Sequence, residues 1–333
     1  MGHGGTVDGV NAAPERRWGR FALRIVASLA VLGVVLAFID TDRALAAFRQ
    51  LRPWTWCVAL GAFLFLHVLS ALKWRYLLAL AGARIDARTA LACHGAGLFG
   101  NLCLPSLIGG DLLRAGLALR ATPARTAVVV GSLADRVADL TALVAVAAAA
   151  TAAVGTGSGS SPRALPIAAV VLAVGAVGPV LTLHVLVRTR LVRRLPRKVA
   201  RRVLEVAGAV RTMRRTPWRA AAAWCACVAI QSGFVLVNIW LGRALGMDLT
   251  TGQWFLVWPL AKIAAMLPVS FGGLGVREAA FASLVGPFSR HSQDLAVAQS
   301  LVWQSVLIVG GLVAGAWSAL TSPRPAAAAA DTA

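Results

Sequence analysis

The chain has 333 residues, of which 58% are hydrophobic and only 14% charged, with a mean hydropathy of +0.74. That balance is too apolar for a soluble globular domain and fits a polytopic membrane protein. The net charge of +20 then reads as loop charge on the cytoplasmic side, and with no recognition motif beside it nucleic-acid binding is set aside.

Residues 1–17 are Gly-rich and polar and are expected to be a disordered tail. Arg16, Arg17, Arg20 and Arg24 accompany an apolar run from Phe21 to Ile39, long enough to cross a hydrocarbon core of about 30 Å. Ala44-Leu45-Ala46 resembles a signal cleavage site, but the length of the run and the following Asp40 and Asp42 favour a retained first helix with its N-terminus inside. Trp54 to Leu72 reads as a second span, with Trp54 and Trp56 at one interface and Lys73, Trp74, Arg75 and Tyr76 at the other. From Thr89 the chain is apolar for about 15 residues before Leu104-Pro105, which is short for a crossing. Residues 89–122 therefore read as a re-entrant hairpin returning to the cytoplasm at Arg120 and Arg125.

Thr126 to Val154 is a long span carrying Asp135, Arg136 and Asp139. Asp135 and Asp139 share one face at i, i+4, with Arg136 about 100° round. Two readings stay open for them: an ion pair to a neighbouring helix, or a substrate or coupling-ion role. A nearly uncharged Gly/Ser turn follows at 155–162, then an inward span, Leu165 to Val187. Residues 188–219 hold twelve basic residues against Glu205 alone, with Val192, Leu195, Val199, Val203, Val206 and Val210 forming one helical stripe. This is the pattern of a basic amphipathic helix on the cytoplasmic leaflet. Trp218 to Leu241 crosses outward, Gln253 to Leu267 heads in with Lys262 well inside its apolar arm, Val276 to Val285 turns back, and Asp294 to Leu320 makes the last crossing. Residues 321–333 are expected to be a disordered cytoplasmic tail.

One phrase occurs twice. Leu104-Pro105-Ser106-Leu107-Ile108-Gly109-Gly110-Asp111-Leu112-Leu113-Arg114 and Leu267-Pro268-Val269-Ser270-Phe271-Gly272-Gly273-Leu274-Gly275-Val276-Arg277 share the pattern L-P-x3-G-G-x3-R. Proline and paired glycines interrupt a helix, so each copy predicts a helix that stops inside the membrane and another that starts there. A helix start offers unpaired N–H groups and a positive dipole end, and an arginine follows about one turn on, a setting that attracts an anion. Asp111 is expected as an N-cap and Glu278 as a neighbour's ion-pair partner.

The shift of 163 positions that superposes the two phrases also places 54–72 on 217–235 and 127–153 on 290–316. The expected architecture is all-α and polytopic: about six full spans and two broken hairpins, in a first repeat over 18–154 and an inverted second repeat over 155–320. Interrupted segments at matching positions of inverted halves point to a transporter's binding site, here with both breaks meeting near mid-membrane. The five cysteines and five histidines show no ligand spacing, so no metal, disulfide or cofactor is expected; His67 and His94, in apolar stretches, are read as residues that bridge helices.

Gly97-Leu98-Phe99-Gly100-Asn101 with Leu104-Pro105, Gly109-Gly110-Asp111 and Arg114, then Asp135-Arg136 with Asp139, then Pro268 with Gly272-Gly273-Leu274-Gly275-Val276-Arg277-Glu278, resembles the membrane region of lysylphosphatidylglycerol synthases and its stand-alone flippase-like relatives. The resemblance implies an inner-membrane protein that moves a lipid between leaflets. It carries no aminoacyl-transfer activity, since no soluble synthase domain is present in this sequence. It implies a substrate-binding set of Arg114, Arg277, Gly109, Gly110, Gly272, Gly273, Asp111, Glu278 and Asn101. Asp135, Arg136, Asp139 and Lys262 would line the path or couple to ions. The expected partner is a membrane phospholipid or polyprenyl-type lipid, with a homo-oligomer or a lipid-modifying enzyme as a further protein partner. The competing readings are an enzyme on a lipid phosphate, whose known motifs are absent, and a non-catalytic partner in a lipid or lipid-linked glycan pathway.

Overall fold

The computed structural model describes residue 49 and residues 51–103, 107–155, 205–208, 210–212, 215–265 and 276–321. Most of them fall in eight helices: α1 (Pro53–Ala81), α2 (Ala87–Cys103), α3 (Leu107–Ala121), α4 (Arg125–Gly155), α5 (Pro217–Ala244), α6 (Thr251–Ala265), α7 (Val276–Val285) and α8 (Arg290–Thr321). Among the described residues there is no strand. The expected spans at 21–39 and 165–187, most of the basic segment, and Gly272 and Gly273 lie outside them.

The first long apolar helices described in the two halves begin alike. Pro53 and Pro217 stand in the first turns of α1 and α5, where a missing N–H costs nothing and φ is already helical. α1 ends at Gly82, whose φ of 104° lets its N–H turn back onto Ala79 and Leu78, a left-handed cap that glycine adopts without strain. Among the described residues three helices, α1, α5 and α8, are long and apolar enough to cross a membrane. α4 has the length, with 31 residues, but carries three charged side chains in its middle.

Both halves contain a long helix, two short helices separated by a break, and a second long helix. The packing repeats as well. α2 lies on α8 and, correspondingly, α6 on α4; α2 packs on α3 as α6 does on α7; α1 packs on α4 as α5 does on α8; and α1 and α5, the equivalent first helices, pack on each other. The entry arm of each broken pair is thus held by the last helix of the other half. Glycine makes that approach close: a Cβ on Gly95 of α2 would stand 2.4 Å from the Ala314 carbonyl oxygen of α8, so any side chain there would force the helices apart.

The core has two parts. One gathers Phe63, Phe234, Trp254, Trp258, Phe281 and Trp303 from α1 and the second half, with T-shaped contacts such as Trp258–Trp303 at 5.7 Å. The other gathers Trp74, Leu78, Cys93, Ala118 and Val128 in the first half, with Val206 and Val210 of the basic segment packed beneath. Those two valines belong to the apolar stripe read from the sequence.

The first break is narrower than the sequence suggested. α2 ends at Cys103 and α3 begins at Leu107, so Gly109 and Gly110 lie within the first turn of α3 and not in the gap. Asp111 is accordingly inside the helix, not its N-cap. Gly110 has a packing reason: its N–H donates to Asn101 Oδ1 at 3.2 Å, and a Cβ there would fall 2.2 Å from both that oxygen and the Gly97 carbonyl oxygen. α1 brings a second correction. It runs on to Ala81, so Lys73 and Trp74 are not interfacial anchors but are 5% and 0% exposed inside the bundle.

Candidate functional site

Charged side chains inside apolar helices are expensive unless they meet partners, and in the first half every step of such a partnership is visible. Asp135 and Asp139 project from one face of α4, as their i, i+4 spacing requires, and both reach Lys73 of α1: the ammonium stands 3.0 Å from Asp135 and 2.5 Å from Asp139. Asp135 Oδ2 also accepts a hydrogen bond at 2.9 Å from Nη2 of Arg114 on α3. Arg114 lies 3.5 Å from Asp111 one turn before it, and its guanidinium covers the Trp74 ring at 4.6 Å. Arg136, round the helix from the two aspartates, pairs with Asp111. Asp135, Arg136 and Asp139 thus form ion pairs to neighbouring helices, the first of the two readings left open by the sequence.

The network continues through two histidines. Nη1 of Arg114 lies 3.3 Å from His94 Nδ1, and His94 Nε2 lies 3.1 Å from His67 Nδ1. Arginine only donates, so His94 Nδ1 accepts; its hydrogen is then on Nε2 and is donated to His67, which carries its own on Nε2. One guanidinium therefore sets the tautomers of two rings on two helices. His67 in turn packs on Phe234 of α5 with ring centroids 5.1 Å apart.

The second half is built differently. Lys262 of α6 donates to Gln231 Oε1 at 2.8 Å and lies 4.9 Å from the centroid of the same Phe234 ring. Arg277 of α7, 8% exposed, donates from Nη2 to Gln304 Oε1 of α8 at 2.9 Å. In the same half Gln299 donates to Asn238 at 2.8 Å, both fully buried. The 163-residue shift that carries Arg114 to Arg277 carries Asp135 and Asp139 to Ala298 and Val302: the arginine is repeated and its carboxylates are not. The side chain of Glu278 lies outside the described residues.

Arg114 and Arg277 do not meet. Gln304, which holds Arg277, is next to Ser305, whose hydroxyl accepts from Trp56 near the start of α1 at 2.9 Å. Arg114 lies on Trp74 near the end of the same helix. Those tryptophans are eighteen positions apart, roughly 27 Å along a helix. The expectation of one site with two arginines is therefore corrected to separate levels, because each arginine is held by the long helix it packs against. Lys262 falls between them, at the height of Phe63 and His67.

Comparison with known families decides the lineage. A family model described as the lysylphosphatidylglycerol synthase TM region matches residues 21–315. The chain belongs to that family. No curated protein and no solved structure matches it. The match spans both halves, so the repeated phrase, the α4 charges and Lys262 all lie inside the family's own extent. The chain is thereby an integral membrane protein related to lipid modification or flippase-like function. The sequence did not single out Lys73, Gln231 or Gln304 as functional; Lys73 was the one with a signal, since it directly follows an apolar run long enough to continue as helix.

Proposed function

We propose that this protein translocates an anionic, phosphate-bearing lipid between leaflets and catalyses no covalent change. One observation carries the reading: cations occur inside the helix bundle at three levels along α1, with Arg277 near Trp56, Lys262 beside Phe63 and His67, and Arg114 with Lys73 against Trp74. A headgroup phosphate moving along such a ladder exchanges one cationic partner for the next and is never left in hydrocarbon without a counter-charge. The lipid tails stay in the bilayer. Family membership and the reciprocal packing of the two halves support the reading, and inverted halves supply the rocking motion that opens such a path to each side in turn.

The inner membrane, both termini in the cytoplasm and six spans belong to this proposal. The test is reconstitution into vesicles with a fluorescent anionic phospholipid and a membrane-impermeant quencher. Loss of the protected inner-leaflet signal, with unaltered lipid recovered afterwards, is the expected outcome. Recovery of a chemically changed lipid would make the protein an enzyme, and no movement by the pure protein would leave it a partner of one.

A further inference from the structure

We infer that Lys262, Gln231 and His67 form an anion-binding site at mid-depth in the membrane domain, one that takes a phosphate oxyanion. The inference rests on charge accounting within the cluster. An ammonium has three N–H donors. At Lys262 one goes to Gln231, a neutral amide, and the ring face of Phe234 supplies a further weak contact. Among the described residues no carboxylate pairs with it: Asp135 serves Arg114 and Lys73, Asp139 serves Lys73 at 2.5 Å, and Asp111 serves Arg114 and Arg136.

The surroundings hold one carboxylate, already engaged by Lys73, and two further cations. Asp139 is within electrostatic reach of Lys262, and so are the cations Arg136 and Lys73. His67, on the same Phe234 ring, has its Nδ1 filled by His94, which leaves its Nε2–H as a donor. Lys262 is only partly buried. A membrane interior that holds a cation against an amide, a donor imidazole and an aromatic face is arranged to receive an anion from outside the chain. The anion suited to it has a single charge and several acceptor oxygens, as in a phosphodiester or a hydrogen phosphate ion.

This deepens the translocation reading by naming its middle station, yet binding is measured apart from movement. The experiment is calorimetric titration of the purified full chain in an uncharged detergent with dihexanoyl phosphatidylglycerol, and separately with inorganic phosphate. Lys262→Gln is expected to weaken binding about tenfold, and Lys262→Arg to stay close to wild type, as expected of a lost charge-assisted contact. Gln231→Leu, which leaves the charge in place, should weaken it less. Binding of the lipid alone identifies a headgroup as the ligand; binding of inorganic phosphate with the same Lys262 dependence identifies the free ion. Unchanged affinity for both probes in a folded Lys262→Gln protein overturns the site, even if vesicles still show lipid movement. Lys262-dependent binding without any movement keeps the site and removes translocation.

Discussion

The two halves answer the same problem, a cation inside an apolar helix bundle, in opposite ways. In the first, Arg114 and Lys73 are closed onto Asp135 and Asp139. In the second, Arg277 and Lys262 donate to the amide oxygens of Gln304 and Gln231. An ion pair satisfies charge as well as hydrogen bonding, whereas an amide satisfies only the latter. The cations of the first half are thus neutralised by its own aspartates and form a strut that joins α1, α3 and α4, while Gln304 and Gln231 give Arg277 and Lys262 hydrogen bonds but bring no counter-charge of their own.

The largest effect expected from this contrast is at Asp135. Asp135→Ala strips Arg114 of its closest carboxylate and Lys73 of one of two, and should cost about 3–5 kcal/mol, seen as a steep fall in thermal unfolding temperature in detergent. Arg114→Ala should likewise destabilise, since it removes a strut and not merely a ligand. Gln304→Leu, which breaks one hydrogen bond to a charged group, should cost about 1.5–3 kcal/mol. A loss at Gln304 equal to that at Asp135 would erase the distinction between the halves.

Gly110→Ala probes the first break. It drives a methyl group into Asn101 and the Gly97 carbonyl and should cost about 1–3 kcal/mol by overpacking, with protease sensitivity rising between α2 and α3. The smallest effect distinguishes how the two entry arms begin. Thr89 N–H donates to Asp86 at 3.0 Å at the start of α2, whereas α6 starts with the reciprocal, uncharged pair of Thr250 and Gln253 at 2.9 and 3.3 Å. Asp86→Ala should cost about 1 kcal/mol.

Acid should act on the helix cap of that first entry arm, whereas Asp248 before α6, also held low by hydrogen bonds from Ser292 and Ser289, ties its loop to α8 and does not cap α6. Hydrogen bonds from the Thr89 hydroxyl and amide hold the Asp86 carboxyl below its ordinary value of 3.8. A folded-state value below the unfolded one means a contribution that is complete above that ordinary value and lost as pH falls through the folded one. Amide hydrogen exchange at the start of α2 should therefore accelerate below about pH 3.8 relative to the start of α6. Equal acceleration at both would show that the cap is not responsible.

The amino-acid sequence alone determined what short-range physics and composition control: helices throughout the described residues, Pro53 and Pro217 at helix starts, the end of α2 at Cys103 just before Leu104-Pro105, and a doubled phrase that marks related halves. It also placed Asp135 and Asp139 on one face, because helical spacing is a local property. Only the tertiary structure decided which partners those faces meet. That Lys73 lies inside the bundle, that Arg114 and Arg277 stand at different levels, and that Gln231 and Gln304 are the acceptors all depend on how distant helices slide past one another. Nothing in a single helix's periodicity records its height against a neighbour; that register is set by close contacts such as Gly95 against Ala314 and Gly233 against Leu66, made between residues far apart in the chain.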